Sequence, residues 1–184
     1  MTLTTFYTST SLDGYLADEH DSLDWLLELP DDDGPMVGGP MGYADFVAGI
    51  GALCMGSTTY RWIVEHQAAL GEPWPYTTPA FVFTHGRPEV MRGADVRLVH
   101  GDVRPVYDAM VEAADGRDVW IVGGGDLAGQ FADARLLDEI VVAIAPVTLG
   151  AGRPLFPRRH DLTLTELAHN GVFGCARYRL TGRR

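Results

Sequence analysis

Three places in the chain put anion-binding groups at the end of an apolar run. The run Val119, Trp120, Ile121, Val122 stops on Gly123, Gly124 and Gly125 and restarts as DLAGQF. Glycine lets the backbone take positive φ and come within contact of a ligand, while a helix starting there turns its unpaired N–H groups to the same spot. Such a junction is an anion site, or merely a tight turn. MGSTTY repeats the arrangement, with Gly56 ending a strand and Ser57 or Thr58 placed to cap the next helix. The two helix starts can each hold one phosphate of a dinucleotide through amides, hydroxyls and the helix dipole. The strand end Phe83, Thr84, His85, Gly86, Arg87 adds a hydroxyl, an imidazole and a guanidinium. A guanidinium suits a further phosphate; the same residues also make an ordinary solvated loop.

Composition removes most other chemistries. All 14 basic residues are arginine, so Schiff-base, Walker-lysine and Ser/Lys mechanisms have no lysine to use. The net charge of −11 opposes nucleic acid and anionic membrane, which are bound chiefly through basic side chains. No G-x-S-x-G, H-E-x-x-H or metal-spaced Cys/His set occurs, and the six histidines are scattered, so no metal site is expected. Cys54 and Cys175 read as buried free thiols. DDDG at residues 31–34 lacks the alternate-residue ligands of a calcium loop and reads as a solvated acidic turn. With 184 residues, no apolar run near the ~18 residues of a membrane span and no secretory signal, one domain over 1–184 in the cytoplasm is expected.

The elements that must position these groups follow from periodicity. Strands are expected at Thr4 to Ser11, Tyr15 to Ala17, Ala52 to Met55, Pro79 to Thr84, Val96 to Val99, Val119 to Val122, Glu139 to Ala145, Leu162 to Ala168 and Ala176 to Leu180. Helices are expected near Leu23 to Leu29, over Tyr43 to Ile50, after Gly56, from Asp102 as cap to Ala114, and over Asp126 to Ala134. Strands and helices alternate through the middle, and strand follows strand at the end. The fold class is therefore three-layer α/β, a mostly parallel central sheet with antiparallel C-terminal edge strands. The long Asp-, Pro- and Gly-rich stretch from Asp18 to Gly42 is expected to be a surface excursion with a functional role.

In order along the chain, SLDG, MGSTTY, VFTHGRP, VWIVGGGDLAGQF, LLDEI and PVTLGAGRPLF resemble the dihydrofolate reductase-like superfamily. Within it they are similar to the group of the C-terminal reductase domain of riboflavin biosynthesis. The resemblance implies a homodimer that binds NADPH along the C-terminal edge of the sheet and passes hydride to a small pyrimidine- or pterin-like substrate. By position it implies that Gly56, Ser57 and Thr58 touch one phosphate, and Val122, Gly123, Gly124, Gly125, Asp126 and Leu127 the other. Thr84, His85 and Arg87 would face the adenosine end, and Thr8, Ser9, Leu16 and Ala17 the nicotinamide. For the proton the candidates are Asp13 and Asp45, with Asp24 also near the expected pocket; Trp25 could stack on a flat substrate. Asp13 has the alternative of holding its own turn. A nucleotide-binding protein without catalysis remains the rival class.

Overall fold

The computed structural model describes residues 2–29 and 38–181, so the acidic turn at 31–34 lies outside the described residues. Fifteen elements follow one another: β1 (Thr4–Ser11), β2 (Tyr15–Ala17), α1 (Asp24–Leu27), α2 (Tyr43–Ala48), β3 (Ile50–Gly56), α3 (Ser57–Leu70), β4 (Ala80–Phe83), β5 (Val96–Val99), α4 (Val103–Ala114), β6 (Asp118–Gly123), α5 (Gly125–Asp133), β7 (Glu139–Ala145), β8 (Arg153–Pro154), β9 (Leu162–Asn170) and β10 (Phe173–Leu180). Eight strands form one sheet in the order β5-β4-β3-β6-β1-β7-β10-β9. The pairs from β5 through β7 are parallel, and β10 pairs antiparallel with β7 and β9. This is the expected fold class. Among the described residues no helix is long and apolar enough to cross a membrane.

The parallel strands alternate between two covered faces. Phe6, Ala52, Cys54, Val119 and Ile121 pack under α4 and α5. Tyr7, Leu53, Met55 and Trp120 point the other way and join Tyr60 and Ile63 of α3. Strands covered on both faces must be apolar throughout, which is why β3 and β6 show no polar alternation.

A second, two-stranded sheet pairs β2 with β8, Ala17 opposite Arg153 and Tyr15 opposite Pro154. β8 was not expected from the sequence. Its approach is held by Asp13: the Ser11 hydroxyl donates to its carboxylate at 2.6 Å, and the amides of Leu149 and Gly150 donate at 3.1 and 2.7 Å. The Ser11 hydrogen bond, helped by those amides, holds the Asp13 carboxyl below its usual range. Asp13 thus ties the β1–β2 turn to the loop that leads into β8.

Candidate functional site

β3 and β6 are neighbours, and Met55 stands opposite Gly123 in their pairing. The helix starts that follow are therefore about one strand spacing, ~4.8 Å, apart. α3 begins with Gly56 as its N-cap and α5 with Gly124, and neither receives a side-chain cap. In α4, by contrast, Asp102 accepts from the Arg104 amide at 2.9 Å. The first N–H groups of α3 and α5 are left for water or a ligand, and both dipoles favour an anion there. A β-carbon on Gly56 or Gly124 would meet nothing within 4 Å, so the space above both is open.

Two expectations change at these corners. Ser57 and Thr58 do not cap α3; the backbone turn at Gly56 starts the helix, and Ser57 becomes its first residue. Nor does any of the three central glycines use positive φ. Their value is closeness: a β-carbon on Gly123 would come 3.0 Å from Thr59 Oγ1, and one on Gly125 would collide with the carbonyls of Pro154 and Leu155.

Both corners open on one cavity of about 500 Å³. Thr8 and Ser9 of β1 and Leu16 and Ala17 of β2 line it, together with Thr58. Val122, Gly123, Gly124, Gly125 and Asp126 of the expected set also stand on its wall. Leu127 is buried among the α5 core contacts, so it can offer only its amide. Gly56 and Ser57 belong to the α3 corner without lining the cavity.

The residues expected at the adenosine end follow the next strand out, because Phe83 at the end of β4 pairs with Gly56. Thr84 Oγ1 accepts from the Gly86 amide at 3.0 Å and folds the corner over. His85 and Arg87 are exposed beside it, outside the cavity wall. Arg87 has no ion pair among the described residues.

The four candidates for proton transfer and substrate stacking stand apart from the cavity wall. Asp13 is consumed by its turn, as described. Asp45 is exposed in the first turn of α2, whose Tyr43, Phe46 and Val47 pack over Tyr7 and Trp120 and turn the carboxylate outward. Asp24 is exposed, and Trp25 packs beside Ala143, Ala145, Phe173 and Cys175. Leu23, the N-cap of this four-residue helix, and Leu26 line the cavity, and Leu26 also packs on the cluster that holds Trp25.

Other wall residues were not foreseen. Trp62 comes from α3, a turn beyond Thr59 of the expected MGSTTY corner, Asp21 from the β2–α1 turn, and Arg153 and Pro154 from β8. Asp21 pairs with Arg153, and Arg61 stands 4.0 Å from its second oxygen. Asp126 accepts from Gln130 at 2.8 Å and pairs with Arg158 at 2.7 Å, and these bonds hold its carboxyl below the usual range. Arg158 also pairs with Asp133 at 2.7 Å and lies flat over Gly129. The spacing Thr58/Thr59 to Trp62 was a readable signal of a shared helix face; the ion pairs, joining distant segments, were not.

The family model described as the RibD C-terminal domain matches residues 3–176. The chain belongs to the RibD C-terminal domain family. The protein YwjB of Bacillus subtilis, described as uncharacterized, is 34% identical over 174 residues, 94% of this chain and 93% of that one. A crystal structure from Shewanella sp. PV-4, described as a riboflavin biosynthesis protein, is 26% identical with a TM-score of 0.77, covering 99% of each chain. Dihydrofolate reductase from Enterococcus faecalis, complexed with NADP(H), shares the fold at 13% identity and a TM-score of 0.54, covering 97% of this chain and 96% of that one. The dihydrofolate reductase-like fold of a RibD C-terminal domain is thus established for this chain.

Proposed function

We propose that this RibD C-terminal domain is an NADPH-dependent reductase that passes hydride to a small pyrimidine- or pterin-like heterocycle. The observation that carries this reading is the pair of uncapped helix starts at neighbouring strand ends, both opening on one cavity. NADP(H) in the dihydrofolate reductase of the same fold supports it. When bound, the cofactor supplies the hydride. The chain's part is to hold it: amides and hydroxyls at Gly56, Ser57 and Thr58 on one phosphate, amides from Gly124 to Leu127 on the other, and Arg87 on the phosphate that distinguishes NADPH. Arg158 offsets the Asp126 carboxylate, which would otherwise oppose an anion at the α5 start. Thr8, Ser9, Leu16 and Ala17 border the nicotinamide. The one proton that accompanies the hydride comes from solvent, since Asp13, Asp24 and Asp45 stand off the cavity wall and the carboxylates on it, Asp21 and Asp126, are paired with arginines.

The same fact favours a second reading, nucleotide binding without turnover. One experiment separates the two. NADPH and NADH are titrated while melting temperature and nicotinamide fluorescence are followed; NADPH at 100 times its Kd raises stability by about 2.7 kcal/mol. Turnover is then measured with pterins, pyrimidines and quinones. Binding without turnover across that panel selects the second reading, and no response to either nucleotide overturns both.

The homodimer belongs to the same proposal. Leu162, Leu164 and Leu167 of the edge strand β9 are exposed. They stand opposite Leu180, Tyr178 and Ala176 of β10, alternate residues on one face, because the bulge near Arg177 and Tyr178 restores the register. An exposed apolar row on an unpaired edge is what a second copy would cover.

A further inference from the structure

We infer that Trp62 is the stacking platform for the substrate ring, and that the ring it selects is planar and uncharged. This rests on the reductase reading above and adds to it the residue and the charge class that set specificity. Thr58, Thr59 and Trp62 all line the cavity. Positions three and four apart share a helix face, so α3 presents two hydroxyls at its start and an indole one turn further on. The indole is half-buried, and the His66 ring lies against it with centroids 4.7 Å apart and planes 11° from parallel. That contact backs one face and restrains the rotamer; the indole also packs against the core cluster around Tyr60 and Ile63, and part of it lines the cavity. Of the four tryptophans, Trp74 and Trp120 are buried in the core and Trp25 packs on another cluster. Leu23, Leu26 and Pro157 add apolar wall.

Charge complementarity narrows the ligand. The ionisable groups on the wall are Asp21, Asp126 and Arg153. Asp21 is paired with Arg153, and Asp126 with Arg158. An anionic substituent on the ring would compete with Asp21 and Asp126 for their arginines and a cationic one with the arginines for the carboxylates, whereas an uncharged ring stacks without either competition. The hydroxyls of Thr8, Ser9 and Thr59 can serve the carbonyl and N–H edges of such a ring.

The test uses the ligand-free full chain, mildly acidic buffer, and two probes: lumazine, uncharged there, and lumazine-6-carboxylate, an anion on the same ring. Calorimetry gives affinity, and tryptophan emission reports proximity. Lumazine is expected to bind saturably with quenching; Trp62→Leu weakens it about tenfold, Trp62→Phe retains the affinity but loses the quench, and the carboxylate binds about tenfold more weakly. NADPH affinity stays the same in Trp62→Leu. His66→Ala, which removes only the backing ring, weakens lumazine binding by a smaller factor and serves if Trp62→Leu does not fold. Equal lumazine affinity in wild type and Trp62→Leu, or in wild type and His66→Ala where that variant has to serve, overturns the inference. So does equal or tighter binding of the carboxylate. A protein that binds NADPH but not lumazine loses this subsite and keeps the reductase reading. One that binds lumazine on Trp62 but not NADPH does the reverse.

Discussion

The backbone of Gly125 packs against the carbonyl of Leu155 so closely that no β-carbon fits between them. One residue earlier, Gly124 faces open space. Adjacent glycines at one helix start therefore differ, the first bordering open space and the second packed against the β8 segment. Gly125→Ala should cost about 1–3 kcal/mol in urea denaturation, the range for forcing a methyl into packed space. Gly124→Val should fold with a loss near 1 kcal/mol, since Gly is favoured at a helix N-cap, yet weaken NADPH at least about tenfold. If Gly124→Val binds NADPH as wild type does, the phosphates do not pass over this corner.

Much of this contrast lay in the sequence, but not all. The apolar run ending at Gly123 marked a central strand because both faces of β6 are covered, and Asp102 marked the α4 cap because that cap is local. β8 is two residues long and exists only through its pairing with β2, a distant partner that no periodicity announces. Trp25 and Trp62 illustrate the same limit at the site. Each sits on a helix near the cavity, and only the packed rotation of that helix decides which one reaches it.

Asp13, Asp18 and Asp126 are all held below the usual carboxylate range. Hydrogen bonds are the leading cause: from the Ser11 hydroxyl to Asp13, from the Ser22 amide to Asp18, and from Gln130 to Asp126. A carboxyl whose folded value lies below its unfolded one contributes stability above about pH 4, the unfolded value, and loses it as pH falls through the folded value. Melting temperature should therefore be level above about pH 5 and fall below about pH 4. Asp13→Asn should flatten that fall and lower the plateau, because the amide cannot accept from Leu149 and Gly150 as a carboxylate does. Calorimetric scans across this range give the answer, and an unchanged acid limb in Asp13→Asn would mean its bonds do not persist in solution.

Arg87 is exposed next to the β4 strand end and has no ion pair among the described residues. In a chain of net charge −11, a guanidinium so placed is a local exception that an additional phosphate can use. Arg87→Ala should weaken NADPH by about tenfold, the scale of one charge-assisted contact, and leave NADH unchanged. Fluorescence titration of both nucleotides measures the ratio. Equal losses for the two would place Arg87 on a group they share, and no loss would remove it from the site.

The proposed homodimer turns on the exposed leucines of β9. Leu167 stands opposite Ala176, and Leu164 opposite Tyr178, so a carboxylate at either position enters one apolar row on the face that packs under α5. Leu167 is 72% exposed in the single chain, and substituting it removes no core contact. Leu167→Glu should accordingly leave the melting transition of the isolated fold in place while converting a dimer to a monomer in sedimentation. Two negative charges brought together across a symmetric interface oppose association as well as removing its apolar area. Leu167→Gln, which carries no charge, should also weaken the dimer but by less, and the difference from Leu167→Glu separates lost burial from repulsion. A wild-type chain that sediments as a monomer at all concentrations would leave the β9 row without its second copy.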